Sequence, residues 1–287
     1  MPRKPSWKFI AKAAKAISEK HSDVNGICLR GKAGWGENMA LVTSMANSFG
    51  ARWFDLEWQP QLDSENWTKA VTQYVELLNS YGPSDAKDKG FKENLEMFQN
   101  GECGIWIDAT VAASSITDPD ISTVSDSVGF ALAPNAGLSK GSNWLWSWAL
   151  AVSTASENSE AAMLFVEWAT SSEYAELVAE KEGWQNVPPG TRKSLYNNRD
   201  YLAAAPFSKM VLESIISASP ANPTVEDVPY SGIQYVDIPE FPGMATAVGA
   251  LVSKAIAGDI SVEEALENAQ WVVGEVIERA RFINKHE

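Results

Sequence analysis

Short apolar runs alternate with amphipathic, helix-length segments along this chain, and that order restricts it to an α/β architecture. Trp7, Ile10, Ala13, Ala14 and Ile17 share one face of a helix predicted over residues 5–20, which Ser6 can cap. Gly26-Ile27-Cys28-Leu29-Arg30 has the pattern of a short strand, and a glycine-rich loop from Gly31 to Gly36 follows it. Helices are predicted from about Glu37 to before Gly50, from Ser64 to Gly82, and over 92–99. Strands follow at 103–107, 128–133 and 144–152. The remaining helices fall at about 157–170, 172–181, 206–217, 242–257 and 262–282. Gly50 and Gly183 stand where helices stop, and Ser261-x-x-Glu264 is a capping box. No repeat or low-complexity linker interrupts the order, so its two expected domains exchange segments through the chain.

At about 150 residues per domain, 287 residues make roughly two domains. Acidic residues outnumber basic ones, 37 to 23, and no long basic run interrupts the balance. Such a surface argues against nucleic acid and against anionic membranes, and it favours a neutral or cationic small ligand. No apolar stretch reaches the roughly 18 residues of a membrane span. Met1 followed directly by Pro2-Arg3-Lys4-Pro5 and a polar helix does not read as a signal peptide, which taken alone would suggest a cytoplasmic chain. Cys28 and Cys103 each lie in an apolar run. Two buried thiols are the plainer expectation, with one bridge left open. Two histidines, His21 and His286, and two distant cysteines make no zinc spacing, and no cofactor is expected.

Twelve tryptophans are the most informative composition feature. Trp7, Trp67, Trp168 and Trp271 occupy apolar helix positions and are expected in the core. Trp35 lies in the glycine-rich loop beside Glu37 and Asn38, and Trp106 stands two residues before Asp108. Asn143-Trp144-Leu145-Trp146-Ser147-Trp148 puts three indoles on one strand face. Trp184 follows the helix-stopping Gly183 and precedes Gln185 and Asn186. A polyhydroxylated ligand needs this mixture: its C–H faces pack on flat rings, while its hydroxyls require placed carboxylates, amides and guanidinium groups. Core burial is the plain alternative for each ring taken singly.

Other chemistry is less well served. The Gly31–Gly36 loop lacks the Gly-Lys-Ser/Thr ending of a P-loop and is not GxGxxG. Glu37 and Asp108 could form the carboxylate pair of a carbohydrate-active hydrolase, which is the competing function. A solvated carboxylate is the plain reading of each.

Long segments carry a recognisable pattern: Gly31-Lys32-Ala33-Gly34-Trp35-Gly36-Glu37-Asn38-Met39-Ala40, Met45 to Ala51, and Trp106 to Ser114. Ala179 to Trp184, Asn186 to Arg192, and Ile238-Pro239-Glu240-Phe241 continue it in order. Together these segments resemble sorbitol/mannitol-binding proteins, the solute-binding components of ABC importers. The resemblance implies a type II, periplasmic-binding-protein-like fold of two α/β lobes closing on a sugar alcohol. It implies ABC permease partners, a periplasmic location and no catalysis. It also implies an upstream segment, so the first lobe is expected to be incomplete here. Residues 1–146 and 201–287 would form the second lobe, and 147–200 a remnant of the first. Carried over, Trp35, Glu37, Asn38, Trp106 and Asp108 become second-lobe ligand contacts. Asn143, Trp144 and Trp146 approach from the crossing strand, Asn186 and Arg192 from the remnant. Tyr230, Gln234 and Phe241 lie near the cleft floor.

Overall fold

The computed structural model describes residues 1–190 and 192–284; Thr191 of the motif above and His286 lie outside them. Helix α1 spans Trp7–Lys20, and the Ser6 hydroxyl accepts from Phe9 N at 3.1 Å, as its cap position predicts. Helix α2, Asn38–Ser48, is buried on every side, which suits a helix with no charged residue. Helix α3, Glu65–Tyr81, stops at Gly82, and α4 covers Phe91–Gln99. The short α5, Ala113–Ile116, precedes a long irregular stretch. Helices α6, Ser159–Ala169, and α7, Ser172–Glu182, are followed by α8, Arg199–Ala204, and α9, Ser208–Ser217. The chain closes with α10, Phe241–Ala257, and α11, Val262–Asn284. Gly183 takes φ +89°, a conformation that L side chains rarely adopt, which fixes the end of α7 there.

The main core lies among α1, α2, α3, α10 and α11. Trp53 is its centre, meeting Trp67 at 5.5 Å and Phe241 at 5.2 Å, both edge-on. A second, smaller core gathers Val187, Leu195, Tyr196, Tyr201, Ala205, Phe207 and Val211 around Ala113. It crosses the expected boundary at residue 200, because α8 and α9 pack their apolar faces back onto residues 187–196.

The expected strands are present as extended segments, but among the described residues they pair only through single bridges. Cys28 bridges Trp106 in parallel, Asn25 bridges Cys103, and Ser6 bridges Asn135. Residues 144–152 form no strand, and Trp148 at 86% exposure stands in solvent. An extended segment becomes a strand only with a neighbour to receive its backbone hydrogen bonds.

Two core assignments are corrected. Trp7 and Trp67 are buried, but Trp168 and Trp271 are 40% and 66% exposed. On α11 the buried stripe runs through Ala265, Leu266, Ala269, Val273 and Ile277, and Trp271 faces away from it. On α6 no residue is buried, so Trp168 has no core to enter.

The free-thiol expectation is also corrected: Cys28 and Cys103 form a disulfide with Cα atoms 5.9 Å apart. The adjacent parallel bridges bring the two Cβ atoms within reach of each other. Closing a loop across 75 residues of separation stabilises the fold by about 4 kcal/mol. No thiol should react with a maleimide until reductant is added, and reduction should lower the melting temperature by several degrees. A free-thiol titre in the folded protein without reductant would contradict the pairing.

Burial pushes the Tyr230 phenol up to about 12, and Tyr201 likewise. Both are raised above an unfolded value of about 10. Their stabilisation is therefore complete below about pH 10 and is lost as pH rises toward 12, because the unfolded phenols ionise first. Urea titration near pH 11 should give lower stability than at neutral pH. Tyr230→Phe should reduce that loss, while costing about 1 kcal/mol at neutral pH because Trp53 N loses its acceptor.

Candidate functional site

The site begins where residues 26–30 run out of the core. Arg30 ends that segment with its side chain only 9% exposed. Its Nε donates to Asp108 Oδ2 at 2.7 Å, its Nη2 to Asp108 Oδ1 at 2.5 Å, and its Nη1 to the Gly36 carbonyl at 2.7 Å. The guanidinium centre lies 5.1 Å from the Phe91 ring and 5.4 Å from the Trp144 ring, a cation–π arrangement on both. Burial would lower the Arg30 pKa, but the Asp108 hydrogen bonds and charge, aided by Glu37, outweigh it and the net shift is upward.

Glu37 stands beside this group, its Oε2 3.9 Å from Arg30 Nη1 and accepting from Phe91 N at 3.3 Å. Its carboxylate thus sits at the N-terminus of α4, where the helix dipole favours negative charge. Gly90 makes room for it: a Cβ there would lie 2.6 Å from Glu37 Oε2. Trp35 meets Trp146 at 5.7 Å, and Trp146 meets Trp148 at 5.4 Å and Tyr235 at 6.1 Å. Trp106 belongs to a neighbouring group, tilted against Phe91 at 5.7 Å and Phe98 at 5.9 Å. A groove of about 1020 Å³ is lined by residues 104–113, 128–134, 142–148, 169–172, 174–176 and parts of 184–198; Trp106, Asp108, Trp144 and Trp146 face it, while Arg30, Trp35 and Glu37 are not in its lining.

Arg30 thus meets Glu37, Asp108 and Trp144 directly, Trp106 shares the Phe91 ring with it, and Trp35 and Trp146 pair with each other on the neighbouring stretches of chain. Other expected contacts are engaged elsewhere. Asn38 is fully buried: its amide donates to Gly249 O at 2.8 Å and Gly31 O at 3.4 Å, and its Oδ1 accepts from Gly34 N at 3.2 Å. It holds the glycine-rich loop against α10 and has no face left for a ligand. Tyr230 and Phe241 are core residues, the Tyr230 hydroxyl accepting from Trp53 N. Asn143 donates to Ser214 O, Asn186 to Glu182 O, and Arg192 to Thr170 O. Gln234 donates to Leu145 O on the crossing segment, while its Oε1 is buried without a protein partner. The hydrolase pair also fails on geometry. Asp108, with a side chain 1% exposed, has both oxygens committed to Arg30 and is not free as acid or nucleophile.

Sequence reasoning missed Arg30, Phe91, Tyr235 and Gly90. For Arg30 a signal existed: a cation ending an apolar run, immediately before the loop that carries Trp35 and Glu37. Phe91, Gly90 and Tyr235 come from distant segments and carried none.

Residues 2–176 match the family described as bacterial extracellular solute-binding protein. The chain is 49% identical over 282 residues to a mannitol-binding protein of Pseudomonas aeruginosa, covering 98% of this chain and 64% of that one. Among solved structures, an ABC transporter solute-binding protein of Agrobacterium vitis S4 with bound D-mannitol aligns with a TM-score of 0.95 at 57% identity, over 98% of this chain and 67% of that one. One from Agrobacterium radiobacter K84 in complex with ribitol aligns with a TM-score of 0.79 at 22% identity, over 96% and 65% of the two chains, and shares the fold. The solute-binding-protein fold expected from the sequence is the fold of this chain, which spans about two thirds of the length of these relatives.

Asn38→Ala would take the acceptor from the part-buried Gly34 N–H and remove the two side-chain donors that tie the Gly31 and Gly249 carbonyls together. Urea denaturation should show a loss of about 2 kcal/mol. An unchanged midpoint would remove Asn38 from the support of this loop.

Proposed function

Because the chain belongs to the bacterial extracellular solute-binding proteins, we propose that it is the greater part of an importer component that captures a sugar alcohol of the mannitol or sorbitol type. The observation that carries this reading is the likeness, over nearly the whole chain, to a protein with D-mannitol bound. The site chemistry supports it. The indoles of Trp35, Trp144 and Trp146 offer flat apolar surface for the C–H faces of an open-chain polyol. Glu37 and Arg30 lie beside them to meet hydroxyls. The ligand would be released unaltered to ABC permease subunits.

A periplasmic location belongs to the same reading. The Cys28–Cys103 disulfide supports it, since such bonds persist in oxidising compartments. No described helix is long and apolar enough to cross a membrane.

In this reading residues 1–146 and 201–287 belong mainly to one lobe and 147–200 to the other, with the core around Tyr201 and Phe207 at the join. Further chain, of the kind that makes the relatives longer, would complete the first lobe. What supports this is the apolar surface of α6, where Met163, Leu164, Phe165 and Trp168 are 40% to 67% exposed. A lobe that closes over the ligand excludes water from its hydrogen bonds, and half a clamp does not.

The test compares this chain with a polypeptide of the relatives' full length. Calorimetric titration with mannitol and sorbitol should give heat only for the long form. In that form Trp35→Ala should weaken binding at least tenfold, and long incubation with polyols or aryl glycosides should yield no product. Equal affinity of both forms would refute the two-lobe requirement. Turnover that vanishes in Glu37→Gln would replace the binding reading with the hydrolase one.

A further inference from the structure

We propose that the Gln234 carboxamide is a clamp on the crossing segment: it holds Leu145 by one hydrogen bond in this structure, and by two when the lobes close on a ligand. Gln234 is then a positioning residue for Trp144 and Trp146 and touches no ligand itself. This rests on the polyol-binding reading above and deepens it.

The crossing segment has few ties of its own. Among the described residues, 143–149 make no backbone–backbone hydrogen bond. Side chains hold the segment instead: Asn143 donates to Ser214 O at 3.2 Å, and Gln234 Nε2 donates to Leu145 O at 2.8 Å. Gln234 projects from a fixed loop. Asn47, 2% exposed, donates to the neighbouring Ile233 carbonyl at 2.7 Å. Gly232, at φ +118°, packs so tightly that a Cβ would lie 2.2 Å from Tyr235 O, a conformation that needs glycine. Side chains alternate along an extended segment, so a grip on Leu145 sets the position of Trp144 and Trp146 together.

The clamp is half made. Gln234 is 3% exposed, and its Oε1 is buried without a protein partner. A carboxamide is donor at one end and acceptor at the other, and an unmet buried acceptor is costly. The residue it already holds carries the matching donor. In an extended chain the C=O and N–H of one residue point to the same side, which is how opposed residues of paired strands exchange two bonds. Leu145 N–H has no partner among the described residues. A rotation of the segment that brings this N–H onto Oε1 completes a two-point contact. Lobe closure rotates the chain that joins the lobes, and a bond made only in the closed form shifts the equilibrium towards it.

The experiment uses the polypeptide of the relatives' full length and its Gln234→Met variant, which keeps the length of the side chain and removes both polar groups. Exchange of the Leu145 amide is followed by NMR on protein with isotope-labelled leucine, with and without D-mannitol, and affinity is measured by calorimetry. Saturating mannitol should slow Leu145 exchange in the parent by about tenfold or more, as for an amide that gains a buried partner. In Gln234→Met the slowing should vanish and mannitol affinity should fall roughly 2- to 10-fold, the loss of one hydrogen bond in the closed form. The urea midpoint of the ligand-free variant should not fall, because the unmet acceptor leaves with the donor. A merely structural amide gives the reverse, a lower midpoint with unchanged affinity, and that result would overturn the clamp. So would a Leu145 amide indifferent to mannitol in a parent that binds it; in both cases the binding protein stands. A parent that binds no polyol would overturn the ligand reading itself, and the clamp with it.

Discussion

The short segment 26–30 is the constraint on which the rest of this structure depends. It is held from every side. Gly26 lies against the α1 backbone so closely that a Cβ would come within 2.2 Å of Ala14 O. Ile27 N donates to Tyr81 O at the end of α3, Cys28 is bridged to Cys103, and Asn94 of α4 donates to the Leu29 carbonyl. The Tyr74 hydroxyl donates to the Arg30 carbonyl at 2.7 Å. With its backbone fixed in this way, the Arg30 side chain has one direction to take, and it carries Asp108 and the Gly36 carbonyl with it. The buried ion pair need not add net stability, since desolvation offsets much of its attraction. What it does is place charged groups at the edge of an apolar wall.

The tryptophans divide by their neighbours and not by their chemistry. Trp7, Trp53 and Trp67 are fully enclosed, and each indole N–H has a partner: Trp7 on Ser142 and Ser48, Trp53 on Thr43, Trp67 on Arg52 O. Trp35, Trp144 and Trp146 are partly exposed and converge from a loop and a crossing segment, the placement suited to gripping a ligand. Trp168 lies on a helix with no buried face, a surface suited to meeting more protein. One side chain therefore takes core, half-buried and surface positions according to what packs around it.

The helices were legible because their signals are local. Ser6, Ser64, Gly82, Gly183 and the Ser261–Glu264 pair mark starts and stops within one turn, and propensity acts at that range. The site was half legible. Trp35 and Glu37 share a loop, and Trp144 and Trp146 a strand-like run, so their proximity followed from adjacency. Asn38 misled because an amide beside an indole looks the same in sequence whether it faces a ligand or, as here, the Gly249 carbonyl 211 positions away.

By itself the sequence determined the order of helices and extended segments, the aromatic and acidic character of the site, and the family signature that goes with them. Only the tertiary structure decided that Cys28 meets Cys103, that Arg30 claims Asp108, and that Trp271 turns outward while Trp67 turns in. Each of these depends on which distant segments share a volume. Periodicity tells a residue which face it occupies on its own helix, but not what fills the space in front of that face.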